Sequence, residues 1–200
     1  MSKEIYVSID VESDGPIPIQ NSMLALGAVA FTDDGRILGE YNVNLKPIPG
    51  AVQDPGTMEW WATQEAAWKF VTSRTVTPEV GMRTFRQWCA GLLTLGHGDR
   101  LVPVCAPVGY DFTFLYVYLM KFGGESPFRF SALDVRSFLA GFRGVRWFRT
   151  SKRHWKKEWF KGTPNHTHKP LDDAKGQGMA FMRMRAEALL LAPPTFEKVR

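Results

Sequence analysis

Apolar residues fall first into short, dense runs. Residues 5–11 pack Ile, Tyr, Val and Ile into few positions and end in charged residues and Gly15, the pattern of a short strand. Residues 23–31 and 37–45 predict a hairpin pair around Asp33-Asp34-Gly35, whose Asp-Gly step favours a tight turn. Pro47 and Pro49 end that meander. The period then changes. Trp60, Trp61, Gln64 and Trp68 recur at helix-like intervals and predict a helix over 57–71. Thr77 as cap with Pro78 as first residue starts another, running to about Leu95. Residues 101–105 return to a short apolar strand, and 111–122 read as helix up to Gly123-Gly124. A further strand is predicted over 128–133, with Asp134 capping a short helix that stops near Gly141. The last long helix spans 171–191, and Ala192-Pro193-Pro194 releases a tail. Three early strands followed by alternating helices and strands imply an α/β domain with a mixed sheet.

Two hundred residues with 44% hydrophobic content suffice for one domain with a substantial core. The expected layout is a single domain over 1–192 and a short tail over 193–200, with no internal repeat, low-complexity tract or linker. Cys89 and Cys105 lack CxxC spacing and fit buried thiols in a reducing cytoplasm. The N-terminus has no signal-peptide layout. The longest uncharged stretch, 15–32, carries Pro16, Pro18, Gln20 and Asn21 and does not read as a membrane span, so a soluble, cytoplasmic chain is expected.

Charge changes the picture through its distribution. Residues 143–169 hold nine Lys or Arg against one acid, Glu158, a net +8 in a chain whose total is +5. The remainder is therefore mildly acidic, and one basic segment faces a polyanionic partner at a defined place. That segment interleaves Trp147, Phe148, Trp155, Trp159 and Phe160 with its cations, an alternation that suits a single-stranded backbone and stacked bases. A solvated loop with its aromatics folded inward fits the same residues.

The acids that end apolar segments carry the chemistry. Asp10 and Glu12 lie two apart at the end of the first strand and so point to the same face. Carboxylates that close repel unless one protonates or a cation lies between them, and oxygen donors favour Mg²⁺ or Mn²⁺. Asp111 opens a helix within Gly109-Tyr110-Asp111-Phe112. His166 and His168 precede Asp172 and Asp173 at the start of the last helix. Taken singly, each also fits a solvated strand end or a helix cap. His97, His154, His166, His168 and the cysteines match no structural zinc spacing.

Their order is more specific. D-x-E on a first strand, an aromatic-Asp pair at a middle helix and H-x4-D at a last helix resemble the DEDDh 3′–5′ exonucleases of the ribonuclease H-like superfamily. The resemblance spans residue 5 to about 190. Asp10-Val-Glu12-Ser-Asp-Gly15-Pro16 followed by Leu26-Gly27-Ala28-Val29 is similar to the family's first motif, and His168-Lys-Pro-Leu-Asp-Asp173-Ala174 to its last. Thr57-Met-Glu-Trp60-Trp61-Ala-Thr-Gln64 is similar to the T-x-x-W-W-x-x-Q stretch of a phage-type exonuclease and bacterial exoribonuclease branch. Departures fall at Pro107, where many members place Asn, and at Tyr110, where Phe is commoner.

The resemblance implies a ribonuclease H-like fold with three antiparallel N-terminal strands plus parallel strands, flanked by helices. It implies hydrolysis from the 3′ end of single-stranded RNA or DNA, RNA slightly favoured, by two Mg²⁺ or Mn²⁺ ions with release of nucleoside 5′-monophosphates. Asp10, Glu12, Asp111 and Asp173 would be the metal ligands, and His168 the base that takes a proton from the attacking water. Helical periodicity does not choose between Asp172 and Asp173; the family spacing chooses Asp173. Leu26, Trp61, Tyr110, Lys152, Arg153, Trp155 and Lys156 are the expected substrate contacts. Homodimers are frequent in such families. The alternative is an inactive nucleic-acid-binding or polymerase-associated proofreading-type module.

Overall fold

The computed structural model describes residues 3–95 and 98–191; His97 and the 193–200 tail lie outside the described residues. Strands β1 (Glu4–Ser13), β2 (Met23–Thr32) and β3 (Ile37–Asn44) form the expected antiparallel meander. β4 (Arg100–Cys105) and β5 (Leu133–Asp134) add in parallel on the other side of β1, giving the order β3-β2-β1-β4-β5. This is the mixed sheet that the run pattern predicts.

Alternation along β1 assigns its two faces. Ile5, Val7, Ile9 and Val11 enter one core with α3 (Pro78–Thr94) and α4 (Val108–Tyr118). Tyr6 points the other way, into a second core with Phe181 and Met184 of α6 (Pro170–Leu190). Two glycines let α6 lie flat on that face. A Cβ on Gly27 would stand 2.1 Å from the carbonyl carbon of Pro170, and one on Gly178 would meet the Phe31 ring and Ser8.

Three expectations need correction. The 57–71 helix is two helices, α1 (Pro55–Ala62) and α2 (Glu65–Val71). Thr63 closes the first by turning its hydroxyl back on the Trp60 carbonyl at 2.7 Å, a local bond that competes with helix continuation. The 128–133 strand shrinks to Leu133–Asp134, because Arg129 adopts a left-handed φ of 57° and Phe128 turns into the core. The middle helix begins at Val108, so Asp111 lies within its first turn, and a π-helical turn over Leu119–Gly123 follows it and is closed by Gly124.

The Asp134 carboxylate caps two helices at once. One oxygen accepts from Ser137 N of α5 (Val135–Arg143) at 2.6 Å, and the other from Val108 N of α4 at 2.9 Å. Both cysteines are free and buried. Among the described residues, no helix is long and apolar enough to cross a membrane.

Candidate active site

β1 outruns β4. Their pairing ends at Ser8 and Val104, so the last turn of pleat, carrying Asp10 and Glu12, projects beyond the parallel part of the sheet. There the Val11 N–H meets the Asp111 carboxylate at 3.2 Å, which ties α4 to the strand between the two acids. On the other side, Gln177 of α6 donates to the Ile9 carbonyl at 3.1 Å. Asp173 stands one helical turn earlier and so rises over the end of β1. Carboxylate oxygens of Asp10, Glu12 and Asp173 lie within 4.8 Å of one another.

Such crowding shows in the proton affinities. Burial, then the charges of Asp111 and Asp173, raise the Asp10 carboxyl well above the usual range, against an opposing pull from Lys152. Burial, followed by the Asp10 charge, pushes Glu12 up to about 10. Burial lifts Asp111 to about 7 despite its bond from Val11. Asp173 departs in the opposite direction: burial raises it, but the His166 bond and charge and the Thr167 N–H at 3.1 Å together hold it low. Its second oxygen, Oδ2, is buried with no hydrogen-bond partner among the described residues.

Two histidines reach Asp173, where sequence reasoning singled out only His168. His166 Nδ1 lies 2.9 Å from Asp173 Oδ1. The His168 ring sits edge-on to it with centroids 4.3 Å apart, on a backbone of φ 55°. The bond to Asp173 raises His166, while burial and then the neighbouring His166 lower His168. His168 is therefore the more neutral imidazole near pH 7, with a lone pair to offer.

Trp60 closes the other side of His168, edge-on at 4.8 Å. The paired tryptophans divide their roles: Trp60 is 37% exposed, whereas Trp61 is 1% exposed and donates Nε1 to the Ser13 carbonyl at 2.9 Å. A cleft of about 430 Å³ opens there between Glu12, Asp54, Thr57, Trp60 and Tyr110. The Tyr110 hydroxyl is held 2.6 Å from Ser13 Oγ.

Of the expected substrate contacts, Leu26, Trp61 and Trp155 are instead packed in the interior. Leu26 has no exposed surface, and Trp155 is 5% exposed with Nε1 donating to the Thr150 carbonyl at 2.8 Å. Large apolar side chains lose more free energy left in water than packed, which is why these face inward. Lys156 bonds Glu187 at 2.6 Å and spans the Trp159 ring, so its charge is directed along α6. Arg153 is exposed. Lys152 lines a smaller cavity of about 300 Å³ with His166, Asp172, Asp173 and Gln177.

The basic segment is irregular, as predicted: three short 3₁₀ turns, Trp147–Arg149, Lys152–His154 and Lys157–Phe160. Trp155 and Trp159 pin it to the core, while Trp147 and Phe148 stay 51% and 58% exposed. Sequence reasoning named His166 without giving it a role and passed over Gln177. The i, i+2 spacing of the histidines and the one-turn spacing from Asp173 to Gln177 are the signals that could have found them.

Residues 5–184 match the family described as the 3′–5′ exoribonuclease Rv2179c-like domain. The chain belongs to that family. This exonuclease is 30% identical over 181 residues to the 3′–5′ DNA exonuclease Cap18 of Escherichia coli, covering 90% of each chain. Its fold is similar to the nuclease domain of 3′hExo, a DEDDh family member bound to rAMP, with TM-score 0.68, 12% identity and coverage of 92% and 93%. It is also similar to S. pombe Pop2p in its Mg²⁺- and Mn²⁺-bound form, with TM-score 0.54, 13% identity and coverage of 90% and 82%. The protein is a 3′–5′ exonuclease, a hydrolase acting on nucleic acid.

The exonuclease's own donor set fits hard divalent cations. Three carboxylates converge, two of them destabilised as anions by burial and by each other, and the orphaned Asp173 Oδ2 is a buried acceptor that a cation would satisfy.

Proposed function

We propose that this exonuclease removes nucleotides one at a time from the 3′ end of single-stranded RNA, with two Mg²⁺ or Mn²⁺ ions, releasing nucleoside 5′-monophosphates. The observation that carries the reading is the convergence of Asp10, Glu12 and Asp173 beside His168 and the Trp60 cleft. Asp10, Glu12 and Asp173 would hold one ion, Asp10 also reaching the second, which Asp111 completes. Two such ions lower the proton affinity of an attacking water and neutralise charge on the phosphodiester.

The remaining work belongs to the side chains. An imidazole nitrogen of His168 accepts the proton of the attacking water, and its lowered proton affinity keeps it free to do so near neutral pH. Trp60 presents a partly exposed ring to the terminal base, and Tyr110 lines the same cleft. Lys152 brings positive charge over the acids, where a phosphate would lie. Trp147 and Phe148, exposed among cations, offer stacking surface for unpaired bases further along the strand. Gln177 and the Val11–Asp111 bond hold the acid-bearing elements in register.

The family's description supports RNA. DNA is the second reading, favoured by the 30% identity to a DNA exonuclease. A non-catalytic nucleic-acid-binding or polymerase-associated role is disfavoured, because the four acids and His168 are all present. Matched single-stranded RNA and DNA oligomers, with free or blocked 3′ hydroxyls, test the proposal with Mg²⁺ and Mn²⁺. Cation-dependent release of mononucleotides is expected from free 3′ ends, faster on RNA. Faster turnover of DNA reverses the substrate assignment, and release without an added divalent cation discards the two-ion reading.

A further inference from the structure

We propose that His166, His168 and Asp173 form a second, nitrogen-rich metal site that takes Zn²⁺ and thereby switches the exonuclease off. Donor atoms of these three residues lie within 4.8 Å of one another, a separate grouping from Asp10, Glu12 and Asp173 that shares only Asp173. Zinc bonds to imidazole and carboxylate run about 2.0–2.2 Å, so its tetrahedral ligands stand roughly 3.3–3.6 Å apart. Closing from the observed spacing takes about an ångström of side-chain motion. His166 can supply it, since its side chain is 57% exposed and, among the described residues, its hydrogen-bond partner is Asp173 alone.

Chain geometry favours the chelate. The two histidines are two residues apart, their rings meet at 4.3 Å, and Asp173 follows within eight residues of chain. So short a loop costs little entropy to close. Asp173 Oδ2, buried and without a partner among the described residues, points to an unmet demand for a cation at the corner common to both groupings. Three protein ligands leave a fourth position for water or a phosphate oxygen, the pattern of an open zinc site rather than a closed structural one.

The donors also decide which metal prefers which grouping. Mg²⁺ takes oxygen ligands, so Asp10, Glu12 and Asp173 suit it; two imidazoles suit zinc, which lies far above Mn²⁺ in affinity for nitrogen donors. Zinc held by His168 occupies the lone pair that would accept the water proton. Zinc held by Asp173 draws that carboxylate away from Asp10 and Glu12. Because Asp173 belongs to both groupings, zinc competes with the catalytic ions for it. The inhibition rests on the reading of His168 as base, whereas the zinc site itself does not.

Calorimetric titration of the full chain with Zn²⁺, without nucleic acid, tests the site directly. One binding event is expected, weakened at least about tenfold in His166→Ala and little changed in Asp10→Asn. Co²⁺ as a spectroscopic stand-in should give visible absorption with the native chain that His166→Ala loses. Zinc should also inhibit Mg²⁺-supported mononucleotide release, reversibly on adding a chelator, with the inhibition of His166→Ala measured against that variant's own rate and requiring at least about tenfold more zinc. Equal zinc affinity in the native chain and His166→Ala overturns the site, as does a loss in Asp10→Asn matching that in His166→Ala. A chain that binds zinc through His166 but shows no Mg²⁺-supported turnover keeps the site and sinks the exonuclease chemistry, so the two failures are distinguishable.

Discussion

The two sides of the active site are built differently. Asp10 and Glu12 ride on a central strand paired along most of its length, and Asp111 and Asp173 on the first turns of two helices packed against it. His166 and His168 sit on the irregular stretch between the last 3₁₀ turn and α6, and His168 has a left-handed backbone. Regular elements place the acids because like charges held that close need a rigid frame. His168, the base on the reading proposed above, stands outside regular secondary structure, and it is on that side that a second imidazole, His166, already reaches Asp173. The acids are thus held by regular elements and the histidines by a loop.

The sharpest way to break it is at the shared corner. Asp173→Ala should lower single-turnover cleavage by more than about a thousandfold, whereas Asp172→Ala, which removes a carboxylate that among the described residues accepts only from Thr167 Oγ1, should retain most of it. The reverse ranking would move the ligand assignment by one residue. On the loop side, His168→Ala should lose about 10²–10⁴-fold in turnover, and His166→Ala clearly less. Equal losses would mean that either imidazole can serve as the base.

Stability without metal probes the rigid side. Glu12 and Asp111 have folded proton affinities raised to about 10 and about 7, above those of the unfolded chain. The unfolded chain therefore binds fewer protons in this range, and stability is present at acid pH and lost as pH rises through those values. In chelator, Tm should fall between roughly pH 5 and pH 9, and added Mg²⁺ should restore it most at the alkaline end. A Tm indifferent to both would show that the acids are not under mutual strain.

The smallest expected effect lies in the basic segment. Replacing Lys152 and Arg153 by Ala should weaken binding of a single-stranded oligomer and reduce the slope of log affinity against log salt by up to about 0.7 for each phosphate no longer neutralised. Lys156→Ala should leave that slope almost unchanged, because its ammonium is engaged by Glu187. A slope that drops equally for Lys156 would place that side chain on the substrate after all.

What could be read from the sequence follows the same division. β1, β2 and β3 show in short apolar runs, the Asp10–Glu12 pair in its i, i+2 spacing and the H-x4-D spacing in the helix start, because all depend on neighbours within a few residues. Which tryptophan of the 60–61 pair faces out depends on the Ser13 carbonyl, 48 residues from Trp61, and no local pattern encodes that. The inward turn of Trp159 is likewise set by α6, through Glu187 and the second core, which Trp155 also joins. The break at Thr63 hinges on a side-chain bond that helical periodicity ignores. Phe128 scores as strand by residue type, yet the sheet offers β5 only Val104 and Cys105 as partners.

Asp134 gives this arrangement a single point of failure. One side chain anchors the start of the helix that bears Asp111 and the start of the helix that leads into the basic arm. Trimming it to Ala would free two backbone amides in different layers, at about 1 kcal/mol for each cap. On the proposed reading, the Asp111 carboxylate and the basic arm would then loosen in concert, so damage at a residue placed in neither the metal site nor the nucleic-acid surface would look like damage to both.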